Sequence, residues 1–144
     1  APSGDSGLVY EEGTMTPTIL LGGTEISTNS GTYNSAQTMG SYTRIGNRVL
    51  FNMRVGITNR GGATGAIRVA GLPYTPASSP NAVAACSLTC WKITYADVPF
   101  ANVDEGSTSV GLFETLNDGT YSTLNESNIV SGTAYIQVAG QYHI

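Results

Sequence analysis

Charge is what this 144-residue sequence has least of: 11% of its residues are charged, against about 25% in ordinary soluble domains. Lysine, histidine and tryptophan occur once each, at Lys92, His143 and Trp91. With so few bases and a net charge of -4, a surface able to hold a phosphate backbone is not expected, which argues against nucleic acid as a partner. No window of a dozen residues keeps apolar positions at i, i+3, i+4 and i+7, so no long helix is expected. Long apolar runs are missing too. None approaches the roughly 18 residues of a membrane helix and no basic-then-apolar leader opens the chain, so membrane insertion is not expected.

The residues that carry chemistry are as scarce. One histidine with two cysteines makes no zinc spacing, and neither a G-x-S-x-G elbow nor a phosphate-cradling G-x-x-x-x-G-K-S/T is present. A Ser-His-Asp hydrolase would have to use His143, one residue from the end, a poor place for a tightly held base. Glycan hydrolysis by two carboxylates needs them about 5 to 10 Å apart. The adjacent pairs are Glu11-Glu12 and Asp104-Glu105, and neighbours on a strand point to opposite faces. The expectation is therefore no catalytic residue, no metal and no cofactor. Cys86 and Cys90, four apart in an apparent strand, would lie about 13 Å from one another, too far for an unstrained disulfide. They read as two reduced, mostly buried thiols.

What the sequence does hold is glycine, threonine, serine and asparagine around short apolar alternations. Such faces can be desolvated without stripping many full charges, which suits contact with sugars or with identical copies. Strand signals recur every 8 to 15 residues between Gly, Pro, Asn, Asp and Ser clusters, the pattern of an antiparallel β-sandwich or jelly roll. In the clearest, Arg48 to Thr58, an apolar face of Val49, Phe51, Met53, Val55 and Ile57 alternates with Leu50, Asn52, Arg54, Gly56 and Thr58. Gly46-Asn47 joins it to Ser41 to Ile45 as a two-residue hairpin, since both residues tolerate positive φ.

Further strands are expected at Leu8 to Glu11, Thr16 to Leu21, Ala66 to Ala70, Val83 to Tyr95, Val110 to Leu116, Tyr121 to Leu124 and Ile129 to Ile144. Within Val83 to Tyr95 the apolar parity shifts after Cys90, which calls for a bulge there or burial on both faces. Asn117-Asp118-Gly119 marks another tight hairpin. The terminal strand must be paired or covered, because an open edge templates aggregation. Ala1 is not an initiator Met, so the chain reads as a piece of something longer. Residues 1 to 12 then form a linker and entry strand, and 13 to 144 one all-β domain.

Charge is segregated as well as scarce. Residues 1 to 43 carry four acids and no base, whereas 44 to 68 carry Arg44, Arg48, Arg54, Arg60 and Arg68 with no acid. Complementary packing between these parts and plain solvation of an outer face both fit that pattern.

The stretch Gly40-Ser41-Tyr42-Thr43-Arg44-Ile45-Gly46-Asn47-Arg48-Val49 resembles the "G-x-Y-T-R-I-G-N-x-V" pattern of C-terminal domains of bacteriophage tail fibres and tailspikes. Thr16-Pro17-Thr18 through Gly23 is similar to that family's opening strand, and Gly65-Ala66-Ile67-Arg68-Val69-Ala70-Gly71-Leu72-Pro73-Tyr74 to its "G-x-x-x-I-x-GLPF" segment. The resemblance spans roughly residues 13 to 76. It implies a homotrimeric β-sandwich at the tip of a fibre, a virion component assembled in bacterial cytoplasm, which in many relatives contacts host surface polysaccharide. It also raises a self-cleaving module, for which only Ser3 and Ser6 stand near a junction, and a depolymerase upstream of residue 1.

Sugar sites pair an aromatic face with amide or carboxylate hydrogen-bonders. Trp91, Tyr95, Tyr121, Asn117 and Asp118 are the candidates, with Tyr74 a more distant one. Trp91 and Tyr95 share a strand parity that favours the core over a binding face, and Tyr121, beside the Asn117-Asp118-Gly119 turn, is the better candidate for exposure. Arg44, Arg48 and Arg54 are candidates for a trimer interface or charge pairing, and Arg44 and Arg54 could also clamp anionic sugars through bidentate contacts. Two other classes stay open: a monomeric carbohydrate-binding module of a secreted glycan-degrading enzyme, and a glycan-cleaving or self-cleaving domain.

Overall fold

The structure, a computed structural model, describes residues 8 to 130 and 132 to 144; the start of the expected linker and entry segment, with Ser3 and Ser6, lies outside them. The chain is all-β and antiparallel. Its strands are β1 (Tyr10–Met15), β2 (Thr18–Leu21), β3 (Thr24–Glu25), β4 (Thr32–Tyr33), β5 (Met39–Ile45) and β6 (Arg48–Asn59). They continue as β7 (Ile67–Ala70), β8 (Ala84–Trp91), β9 (Pro99–Val103), β10 (Ser109–Thr115), β11 (Tyr121–Thr123) and β12 (Ala134–His143). Among the described residues the helices are four short 3-10 turns. None is long and apolar enough to cross a membrane.

The strands run in the order β1-β5-β6-β12-β8-β9-β10-β7-β2-β3, with β4 on β6 and β11 on β10. Strand β8 belongs to both arms of this sheet: Ala84, Ala85 and Cys86 pair with β9, and Ser87 to Trp91 pair with β12. The terminal strand is thereby paired on both sides from Tyr135 to Ala139, since β12 also pairs along its whole length with β6, from Ala134 opposite Ile57 to His143 opposite Arg48. Over that central stretch no edge is left open.

The apolar face read from β6 is the buried one. Val49, Phe51, Met53, Val55 and Ile57 join Ile136 and Val138 of β12, Ile19 and Leu21 of β2, Ile67 and Val69 of β7, and Val110 and Leu112 of β10 in one cluster. Between β5 and β6 the two-residue turn forms as expected, although only Gly46 takes positive φ, at 62°.

Several boundaries differ from the sequence expectation. Strand β1 starts two residues later than Leu8 and runs on to Met15, so the division after residue 12 falls inside it. Strand β9 carries too short an alternation to be read, its buried residues being Ala101 and Val103. The expected strand Val83 to Tyr95 ends at Trp91. No bulge is needed at Cys90: inner and outer residues alternate regularly through β8, and Lys92 then turns the chain with φ 63°, placing Ile93 in the core. Ile129 forms an isolated bridge with Ile93 rather than opening the last strand.

Cys86 and Cys90 are free and half-buried on the inner side of β8. Burial pushes the Cys86 thiol up to about 11 and raises that of Cys90, so both stay protonated and unreactive at neutral pH.

Candidate functional site

Strand pairing decides which side chains meet on the solvent side of β1, β5, β6, β12 and β8. Paired residues of antiparallel neighbours point the same way. The register therefore sets Tyr135 beside Trp91, Arg54 between Met39 and Gln137, and Asn52 between Ser41 and Ala139. The result is a broad face of amides, hydroxyls and a few large apolar groups with little charge. Trp91 is 45% exposed and Met39 57%.

Four side chains in this face form a ladder. Trp91 and Tyr135 stack with ring centroids 5.8 Å apart and planes 15° from parallel. The Arg54 guanidinium lies 4.1 Å from the Tyr135 centroid, and the Lys92 ammonium 5.3 Å from that of Trp91. Each cation is held by a ring's negative face. Arg54 also donates from Nη1 to Oε1 of Gln137 at 3.3 Å, and Gln137 donates from Nε2 to Asn52 at 3.1 Å. The Arg54 Nε is buried without a hydrogen-bond partner.

Arg54 forms part of the wall of two cavities. One, of about 290 Å³, is lined by Asn34, Gln37, Ile57, Trp91 and Tyr135 among others. The second, of about 380 Å³, is lined by Thr14, Met39, Ser41, Asn52 and Gln137 among others. Shallower depressions continue from Ser41 over Tyr42 and Thr43 to Glu12 and Leu50.

A second aromatic group stands on the other arm. Phe100 and Phe113, cross-strand partners on β9 and β10, stack at 5.2 Å, and Tyr121 meets both edge-on at 5.7 and 5.5 Å. Tyr121 is 65% exposed. Asn117 and Asp118 occupy the exposed β10-β11 turn, where Asp118 Oδ1 accepts from the Thr120 amide and hydroxyl. Those bonds hold the Asp118 carboxyl below its ordinary value.

The sequence candidates thus divide into separate places. Trp91 belongs to the ladder, whereas Tyr121, Asn117 and Asp118 belong to the second group. The core expected for Trp91 and Tyr95 does not take them: both are exposed, because β8 ends at Trp91 and Lys92 turns the chain, leaving Tyr95 in the segment between β8 and β9 and on no strand with Trp91. Tyr74 is half-buried: its hydroxyl and that of Tyr42 both donate to the Glu11 carboxylate, while the Tyr142 hydroxyl donates to the Tyr74 carbonyl at 2.8 Å. The two tyrosines hold the Glu11 carboxyl below its ordinary value, and Glu11 in turn pushes the Tyr42 hydroxyl up to about 12.

The three arginines do not make one patch. Arg44 lies on the opposite side of the sheet from Arg54, donating from Nε to the Gly46 carbonyl at 2.8 Å with its guanidinium 4.9 Å from the Tyr74 ring. Arg48 is exposed beside the β5-β6 turn. The charge segregation yields one ion pair among the described residues, Arg68 with Asp104 at 2.6 Å. Of the acid pairs, Glu11 and Glu12 point to opposite faces of β1, and Asp104 is held by Arg68 while Glu105 is exposed. Tyr135, Gln137, Asn52 and Gln37 were missed. Their outward parity on β12 and β6 was legible for the first three, but the pairing that brings them to Arg54 was not.

No family model and no curated protein sequence matches the chain. Among solved structures it is similar to the crystal structure of Dettilon tailspike protein, with a TM-score of 0.65 and 18% sequence identity over 93% of this chain and 24% of that one. The chain thus spans about a quarter of that protein's length and shares the fold of that part of a phage tailspike.

Proposed function

We propose that this chain is a non-enzymatic tip domain of a phage tail fibre or tailspike, which trimerises the fibre and attaches it to host surface polysaccharide. The likeness in fold to a tailspike over 93% of the chain carries the reading. The sequence resemblance of residues 13 to 76 to C-terminal domains of such proteins supports it independently. In this reading the two arms of the sheet are the layers of a β-sandwich, the domain is part of the virion, and it folds in bacterial cytoplasm, where two reduced thiols are at home.

The outer surface suits the role. It is poor in charge, and it carries two solvent-side aromatic groups, Tyr121 with Phe113, and Trp91 with Tyr135, the latter in one cavity wall with the amides of Asn34 and Gln37, which can bond sugar hydroxyls. A face of this kind also loses little on contact with an identical copy.

Light scattering at micromolar concentration, combined with binding to host-envelope polysaccharide, tests the reading. A mass near three times 15.0 kDa with saturable polysaccharide binding is the expected result. A monomer would overturn trimerisation and favour a single binding module. A trimer that binds no polysaccharide would leave assembly alone.

A further inference from the structure

We propose that the ladder around Arg54 recognises an acidic sugar, a carboxylate-bearing residue of a linear glycan laid across the strands from Trp91 towards Ser41. The proposal rests on the polysaccharide-binding reading above and names the chemistry of the ligand. In a chain of net charge -4, neither cavity beside Arg54 has an acidic residue in its wall. Among the described residues, neither Arg54 nor Lys92 takes part in an ion pair. A guanidinium half-buried on a sheet without a counter-ion is costly, and an incoming carboxylate would remove that cost.

The guanidinium is also oriented in advance. Tyr135 stacks on it, Gln137 accepts from Nη1, and Asn52 fixes Gln137 from the other side. A planar fork held this way matches a carboxylate in both geometry and charge. Gln37 and Asn34 on one flank, and Ser41 and Asn52 on the other, supply partners for hydroxyls. The depressions continue towards Glu12, so the track from β8 to β1 crosses four interstrand gaps of about 4.8 Å, roughly 19 Å. That length accommodates several linked rings. The acidic sugar belongs at Arg54, because Glu12 at the far end would repel it.

The test is heteronuclear NMR on the labelled full chain in its native oligomeric state, titrated with glucuronate, galacturonate and N-acetylneuraminate and with their neutral methyl esters. At least one free acid is expected to shift the Trp91 indole and Gln137 amide resonances saturably, with its ester binding at least tenfold more weakly. Added salt should weaken the acid and leave the ester unchanged. Arg54→Gln should abolish the preference for acid over ester, and Arg54→Lys should restore part of it. Unchanged melting of both variants shows that they fold.

If none of the acids moves these resonances, if ester and acid bind equally, or if Arg54→Gln keeps the preference, the proposal is overturned. Polysaccharide binding that survives Arg54→Gln but is lost in Tyr121→Ser would overturn it while leaving the attachment function standing.

Discussion

Gly13 of β1 and Tyr42 of β5 face each other across the sheet so closely that a Cβ on Gly13 would stand 2.6 Å from the tyrosine ring. The phenolic end of the ring stands over the glycine, and its hydroxyl donates to Glu11 on the same strand as Gly13. A side chain at position 13 must push the ring away. Gly13→Val is expected to destabilise the domain by about 1 to 3 kcal/mol, the usual cost of overpacking. Chemical denaturation measures it, and a loss no larger than that of a Val substitution at exposed Gly62, where a Cβ would meet nothing closer than 4.0 Å, would show that the contact is unimportant.

Glu11 links that contact to pH. Its carboxyl is held below its ordinary value by Tyr42 and then Tyr74, so the folded state binds this proton less readily than the unfolded chain. The stabilisation is then fully present above the unfolded value near 4.5 and disappears as pH falls through the lower folded value. Melting temperatures followed downward from pH 6 should fall less steeply in Glu11→Gln than in the parent. Parallel curves would assign the acid sensitivity to other carboxylates, of which Glu126, held down by the Gly65 amide, is the next to replace.

The thiols offer a chemical check. With Cys86 pushed up to about 11 and both sulfurs half-buried, the folded protein should react with a disulfide reagent at pH 8 far more slowly than the denatured chain, which should release two equivalents. Rapid reaction of one thiol in the native state would mean that β8 opens locally.

Ile136 sits fully buried where β12 lies between β6 and β8. Ile136→Ala should cost roughly 2 to 5 kcal/mol through lost burial and the cavity left behind. Gln137→Ala, next in sequence but on the solvent face, should cost far less stability while loosening Arg54. Denaturation midpoints of the two variants give the comparison.

Much of this domain was legible before any coordinates. The two-residue alternation of Val49 to Ile57 specified a half-buried strand, and Gly46-Asn47 and Asn117-Asp118-Gly119 specified turns, because pleat and turn geometry act over a few neighbouring residues. Scarcity of charge likewise settled the character of the surface without reference to shape. The side of the sheet on which Trp91 stands was a different matter. It depended on where the regular alternation of β8 stops, and a positive φ at Lys92, a residue type that seldom adopts one, decided that.

The assembly around Arg54 came from tertiary structure alone. Gln137 is 83 positions away from Arg54 in the chain, and Tyr135 and Trp91 meet because β12 inserts between β6 and β8 in one particular register. Local periodicity says which residues share a face of one strand. Which strands become neighbours, and in what register, is chosen by the burial of Val138, Ile136 and Met53 in a common core, a long-range free energy to which every strand contributes.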